Sequence, residues 1–170
     1  MQPLSAYAAR PLTSLIRQAR QGVARRRVDE LAKLAGLTDK DMARILAMSV
    51  RSLHGKAPAD LLNPAAGERL LLLERLIQHG LQVFDGRTDL LSSWLRTPLA
   101  ELAYREGADV ASPVSARSLG SFNEPAMASP QPANNVVPAV PQSPLAVLDM
   151  VSGFSLADDV LGRIEWGIAG

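Results

Sequence analysis

Seven prolines fall between residues 113 and 144, at Pro113, Pro125, Pro130, Pro132, Pro138, Pro141 and Pro144, and they divide the chain before any other pattern does. Proline fixes φ and lacks a backbone N–H, so neither a helix interior nor a central strand runs through such a stretch. The residues between these prolines are rich in Ser, Ala and Asn and have no apolar period. Residues 105–142 are therefore expected to form a flexible insertion, far longer than an ordinary connection. The foldable parts lie on either side of it.

On the N-terminal side the apolar residues recur at helical spacing and nowhere at convincing strand alternation. Residues 1–24 read as an arm with one short amphipathic helix over 12–20, carried by Leu12, Leu15, Ile16 and Ala19. Arg25-Arg26-Arg27 leads into Val28, Leu31, Ala32, Leu34 and Ala35, with Gly36 as the stop. Thr38 is an N-cap with Asp41 three residues later, and Met42, Ala43, Ile45 and Leu46 form the next apolar stripe. Ser49 caps a further helix from Val50, with Leu53 inward, which ends near Gly55 because Pro58 follows. Asn63-Pro64 opens the longest helix, whose Leu70, Leu73, Leu76, Ile77, Leu81 and Phe84 keep a helical period while Leu71 and Leu72 widen it for packing on two sides. Asp85-Gly86 ends it, and Asp89 starts a helix through Leu90, Leu91, Trp94 and Leu95. Thr97-Pro98 is expected to open another turn with Leu99 and Leu102.

Beyond the insertion, Ser143-Pro144 starts a short helix through Leu145, Val147, Leu148 and Val151. Gly153 is expected to break it, and Ser155 to cap a last helix through Leu156, Val160, Leu161, Ile164 and Ile168. The expected fold class is all-α. It divides into an arm (1–24), a helix-turn-helix bundle (25–86), and a small helical C-terminal module (87–104 and 143–170) interrupted by the insertion (105–142).

Composition narrows the chemistry. The chain has no cysteine, which excludes disulfides and thiolate metal sites and agrees with a cytoplasmic setting. Its two histidines, His54 and His79, have no second ligand at metal-binding spacing. No phosphate-cradling glycine loop or nucleophile elbow occurs, and Asp158-Asp159 reads as helix-face charge. Neither catalysis nor a cofactor is expected. No apolar run is long enough to span a bilayer, and the first residues lack the pattern of a secretory leader, so a membrane setting is not expected. Charge is uneven: residues 1–62 hold 11 lysines and arginines against 5 acids, while residues 86–170 hold 5 arginines against 9 acids. That split suggests two surfaces with different partners, although ordinary variation in solvated faces would also produce it.

The constellation with a mechanism is residues 38–56. Ala43 is the small residue that a helix crossing needs, Ala47-Met48-Ser49 forms the turn, and Met48 and Leu53 anchor the second helix. Ser49, Val50, Arg51, Ser52, His54 and Lys56 are then left to face outward, where such a helix can enter a DNA major groove. Arg25, Arg26, Arg27, Arg44, Arg51 and Lys56 supply charge for phosphates. The turn has Ala47 where a helix-turn-helix usually has Gly, and the second helix is short. A plain three-helix unit with a basic face, used for packing or dimerisation, has the same spacing.

Longer segments resemble a known family. Gly36-Leu37-Thr38, Met42-Ala43-Arg44-Ile45-Leu46 and Met48-Ser49-Val50-Arg51-Ser52-Leu53-His54 are similar to the Xre-like region of the Xre/MbcA/ParS antitoxins. Glu68-Arg69-Leu70-Leu71-Leu72-Leu73 and Val83-Phe84-Asp85-Gly86 resemble its next helix. Trp94-Leu95-Arg96-Thr97-Pro98-Leu99, Ser143-Pro144-Leu145-Ala146-Val147-Leu148-Asp149 and Leu161-Gly162-Arg163-Ile164-Glu165-Trp166-Gly167 look like pieces of its toxin-binding module, though in that family the first two lie much closer together.

The resemblance implies a type II toxin–antitoxin system of the RES-Xre kind. The partner would be a RES-domain toxin that depletes NAD⁺, its active-site entrance covered by the antitoxin's C-terminal module. The N-terminal part would form a homodimer, or a higher hetero-oligomer with toxin, and bind operator DNA for autoregulation. The toxin-facing residues implied are Arg163, Glu165, Trp166 and Gly167, with Leu161 and Ile164 on the packed side; Arg163 and Glu165 also read as solvated charges. The alternative is a helix-turn-helix transcriptional regulator without a toxin partner.

Overall fold

The computed structural model describes residues 12–104 and 140–167. Eight helices and one two-stranded ribbon occupy them: α1 (Leu12–Gln21), α2 (Arg26–Ala35), α3 (Asp39–Ile45), α4 (Val50–His54), α5 (Pro64–Val83), α6 (Thr88–Arg96), β1 (Leu99–Tyr104), β2 (Val140–Gln142), α7 (Pro144–Val147) and α8 (Val151–Glu165). The described residues are mostly helical, as the periodicity predicts. Among the described residues no helix is long and apolar enough to cross a membrane.

The start signals act through side-chain oxygens that satisfy the orphan N–H groups of each first turn. Thr38, Ser49, Asn63 and Ser143 accept from the backbone N–H of Asp41, Ser52, Ala66 and Ala146. Gly36 ends α2 in the left-handed region at φ 65°, and Arg96 donates to its carbonyl oxygen at 2.6 Å.

Helix α5 is the axis of the fold. It buries Leu70, Leu73, Leu76 and Ile77 completely or nearly so, together with Leu71, Ala66, Gly67 and Gly80, and α1, α2, α6 and α8 all pack against it. Gly80 is where two neighbours come closest: a Cβ there would stand 2.6 Å from Leu91 and 3.6 Å from Leu161. Among the described residues the one buried charge, Glu74, is held by a two-pronged bond from Arg27 on α2. Fully buried Leu148 and Leu161 belong to the same hydrophobic cluster as Met42 and Leu53, so the C-terminal helices and the helix-turn-helix share one core.

Three expectations need correction. Residues after Thr97-Pro98 form strand β1 instead of a helical turn. It pairs antiparallel with β2, Leu99 opposite Gln142 and Tyr104 opposite Val140, with a bulge between. That bulge breaks the period-two pattern that would have marked a strand. The insertion expected over 105–142 consequently ends earlier, since Val140–Gln142 is paired; residues 105–139 lie outside the described residues. Finally, Gly153 does not break a helix and Ser155 does not cap one. Helix α8 already begins at Val151, and Gly153 sits buried in its first turn. A Cβ at 153 would fall on the carbonyl oxygen of Val147, so glycine is there to let the end of α7 reach α8.

Two glycines of α8 should respond oppositely to alanine. Gly153→Ala is expected to cost about 3 kcal/mol through overpacking. Gly162→Ala, where a Cβ meets nothing within 4 Å, should gain about 0.5–1 kcal/mol from helix propensity. Urea unfolding of the two variants measures the difference.

Candidate interaction faces

The helix-turn-helix is built from α3, the turn and α4. Ala43 is buried on α3, and α3 packs against α4. Helix α3 ends in a Schellman arrangement, in which Ala47 N–H donates to Arg44 O at 3.1 Å and Met48 N–H to Ala43 O at 2.9 Å. This places Ala47 at φ 52°, in the left-handed region, where a Cβ is strained. The turn thus has the shape that glycine usually provides, formed by alanine at some cost. Leu53 is fully buried and Met48 packs on the core, so α4 is anchored as expected.

The capping box of α3 is complete. Asp41 Oδ2 accepts from the Thr38 N–H at 3.0 Å and from its hydroxyl at 2.7 Å. Burial pushes the Asp41 carboxyl upward, but the Thr38 bonds and the charges of Arg96 and Arg44 outweigh it and hold the group below the usual carboxylate range.

The outward residues of the turn and α4 are exposed, but most have partners. Ser49 and Ser52 are joined through their hydroxyls at 2.7 Å within the cap. His54 Nε2 lies 2.8 Å from Asp39 Oδ2. Lys56, half-buried, donates to Leu61 O at 3.3 Å. Arg44 is exposed, and its guanidinium donates to Leu145 O of α7 at 2.7 Å, tying the helix-turn-helix to the C-terminal helices. Of the arginine triplet, Arg25 bonds Asp29 and Leu53 O, Arg27 bonds Glu74, and Arg26 is the exposed member. Arg51 keeps an exposed guanidinium with no ion pair or hydrogen bond among the described residues, beside Val50, which is 39% exposed.

The second face is the outer side and last turn of α8. Leu161 is fully buried and Ile164 packs on the core, while Arg163, Glu165 and Trp166 face out. Trp166 is 78% exposed, more than any other large apolar side chain among the described residues, and Gly167 follows at φ 66°. Glu165 lies 3.5 Å from His79 Nε2 on α5. Ile168 lies outside the described residues. The periodic reading placed Leu156 and Val151 among apolar stripe residues, yet they are 50% and 53% exposed, with Met150 at 62% beside them. The correct frame needed the true start of α8. Trp94, by contrast, is core: it is buried, and its ring lies 6.2 Å from that of Phe84.

Residues 14–75, from the first turn of α1 to the middle of α5, match the family model described as the antitoxin Xre-like helix-turn-helix domain. No curated protein matches the chain. The family match supports an antitoxin or DNA-binding regulator, and it ends before α6, the ribbon and the C-terminal helices.

Ala47→Gly should raise stability by about 1 kcal/mol without altering the turn, because the left-handed geometry then carries no Cβ strain; the thermal midpoint and the α3–α4 amide shifts test this. Because the folded carboxyl of Asp41 titrates low, its contribution is present above the ordinary carboxylate range and lost as pH falls through the lowered value. Asp41→Asn should therefore destabilise at neutral pH, and the gap from wild type should close in acid.

Proposed function

We propose that this chain is the antitoxin of a type II toxin–antitoxin pair, acting in the cytoplasm, with a RES-domain, NAD⁺-depleting toxin as its partner. Residues 25–86 are the DNA-facing part, 1–24 an arm, and 87–104 with 143–170 the toxin-binding part. The observation that carries the reading is Trp166, an indole left almost wholly in water beside Arg163 at the end of α8. Trp and Arg are the side chains most often found at binding hot spots, where a desolvated pocket on the partner receives them. The match of residues 14–75 to an antitoxin domain supports the same reading from the other half of the chain.

Inhibition would be stoichiometric and steric. The last turn of α8 fills the toxin's entrance: Trp166 buries its ring, Arg163 and Glu165 pair with polar groups at the rim, and Gly167 allows close backbone approach. Operator binding would rest first on Arg51, with Ser49, Val50 and Ser52 near base edges. His54 and Lys56 would exchange Asp39 and Leu61 O for phosphates. Operator sites are read by paired half-sites, which favours a homodimer, alone or within a larger assembly with toxin.

Co-expression with a neighbouring RES-domain toxin tests the proposal. Removing residues 161–170 should abolish neutralisation, and Trp166→Ala should weaken toxin binding by about 30-fold or more, the effect of losing a hot-spot side chain. Arg51→Ala should reduce operator binding and lower its salt slope by about one. Neutralisation that survives loss of residues 161–170 sinks the assigned role of α8's end. Operator binding without any toxin capture would favour the second reading, a regulator with no toxin partner, which the helix-turn-helix geometry supports by itself.

A further inference from the structure

His79 stands on α5 opposite two carboxylates of α8. Its Nδ1 lies 2.7 Å from Asp158 Oδ1, and its Nε2 lies 3.5 Å from Glu165 Oε2. The two acids are seven residues apart, so they share one face of the helix two turns from each other. The imidazole therefore spans the last two turns of α8 from the side, with one nitrogen on each acid.

The chemistry of this arrangement is asymmetric. An ionised carboxylate only accepts hydrogen bonds, and a neutral imidazole has a single N–H. In the neutral form only one nitrogen donates; with the proton on Nδ1, at the shorter contact to Asp158, Nε2 turns a lone pair toward the Glu165 carboxylate. Only the imidazolium donates to both acids. From α5, Arg75 also lies 3.8 Å from Asp158, so that carboxylate keeps a cation beside it whichever form His79 takes. No other charged side chain among the described residues pairs with His79. The proton-dependent contact is thus the outer one, to Glu165, which adjoins the most exposed part of the helix.

We propose that His79 is a proton-operated latch: protonated, it clamps the last turn of α8 to α5 through Asp158 and Glu165; neutral, it releases the Glu165 end and leaves residues 165–167 to fray. The last turn is where release would show. The Trp166 and Gly167 N–H groups donate to Gly162 O and Ile164 O, both at 3.1 Å, and those bonds break when the turn opens. Side-chain exposure of 22% at His79 and 54% at Glu165 leaves the outer contact open to solvent protons. His79 is a positioning residue, since it acts on the last turn of α8, which leads into Trp166, without being part of the outer face itself. The latch belongs to the free chain; only its use in capturing a toxin rests on the function proposed above.

The test needs no partner. Hydrogen exchange of the Trp166 and Gly167 amides, referred to the intrinsic rate at each pH, is measured by NMR on the full chain at about pH 5.5 and about pH 8, either side of the imidazole range. Wild type should show about two- to five-fold higher protection at the lower pH, the equilibrium equivalent of one exposed ion pair. His79→Gln, whose amide offers both a donor and an acceptor end and does not titrate, should remove the pH response, as should Glu165→Gln, which leaves His79 in place. The second variant changes only a surface side chain and carries the test if the first disturbs packing on α5. Protection in wild type that does not change with pH, or a response that persists in Glu165→Gln, overturns the latch. Toxin neutralisation that fails while the pH response holds would sink the functional reading and leave the latch standing.

Discussion

Helix α5 is buried along both of its long sides, and that burial determines where every other element can lie. A surface helix has one apolar stripe and one partner layer. This one carries Leu70, Leu73 and Ile77 at full burial together with Leu71 and Leu76, and so needs cover from two directions. Helices α1, α2, α6 and α8 supply that cover between them. Gly80 permits the approach of α6 and α8 by letting Leu91 and Leu161 reach the helix backbone. Each fully buried leucine is worth about 1.5–3 kcal/mol, so neither half can be peeled away cheaply.

The polar residues follow from that packing. With α7 and α8 seated beside the helix-turn-helix, basic side chains at the seam are drawn to backbone carbonyls. Arg44 takes Leu145 O, and Arg69 on α5 takes both Ile45 O at 3.2 Å and Asp149 O at 2.7 Å. These carbonyls lie at or near helix ends, where backbone acceptors lack a helical partner and a cation is favoured by the dipole. Arginines that look like a phosphate-binding set in sequence are in part the struts of the fold. Arg51 on α4 and Arg26 at the start of α2 are exposed without such a bond, while α8 and its C-cap expose Val151, Leu156 and Trp166 together with Arg163 and Glu165. The two candidate faces therefore differ in chemistry, the second adding large apolar groups to mixed charge.

Much of this was legible beforehand because it is local. A cap needs only its own residue and the N–H three positions on, so Thr38, Ser49, Asn63 and Ser143 could be placed without knowing the fold. The same holds for Gly36 and for the Ala47 turn, whose conformation is set by α3's own last carbonyls. The ribbon was not legible. Its partner strand lies about 40 residues away, and its bulge removes the alternation that would have identified it. Gly153 misled for a related reason: within a short apolar segment glycine reads as a breaker, and only the nearness of Val147 O shows that it is a contact point.

For the candidate faces the division is the same. Sequence alone determined the helical class, the position of the turn, the inward Leu53 and Leu161, and the outward Arg51, Arg163 and Trp166. Each of these follows from helical period and capping, which act over a few residues. Tertiary structure alone decided that Arg44 is a strut, that Leu156 and Val151 face water, and that His79 meets Asp158 and Glu165. Those outcomes depend on which elements α5 brings together, and no spacing along the chain encodes a neighbour about 80 or 100 residues away.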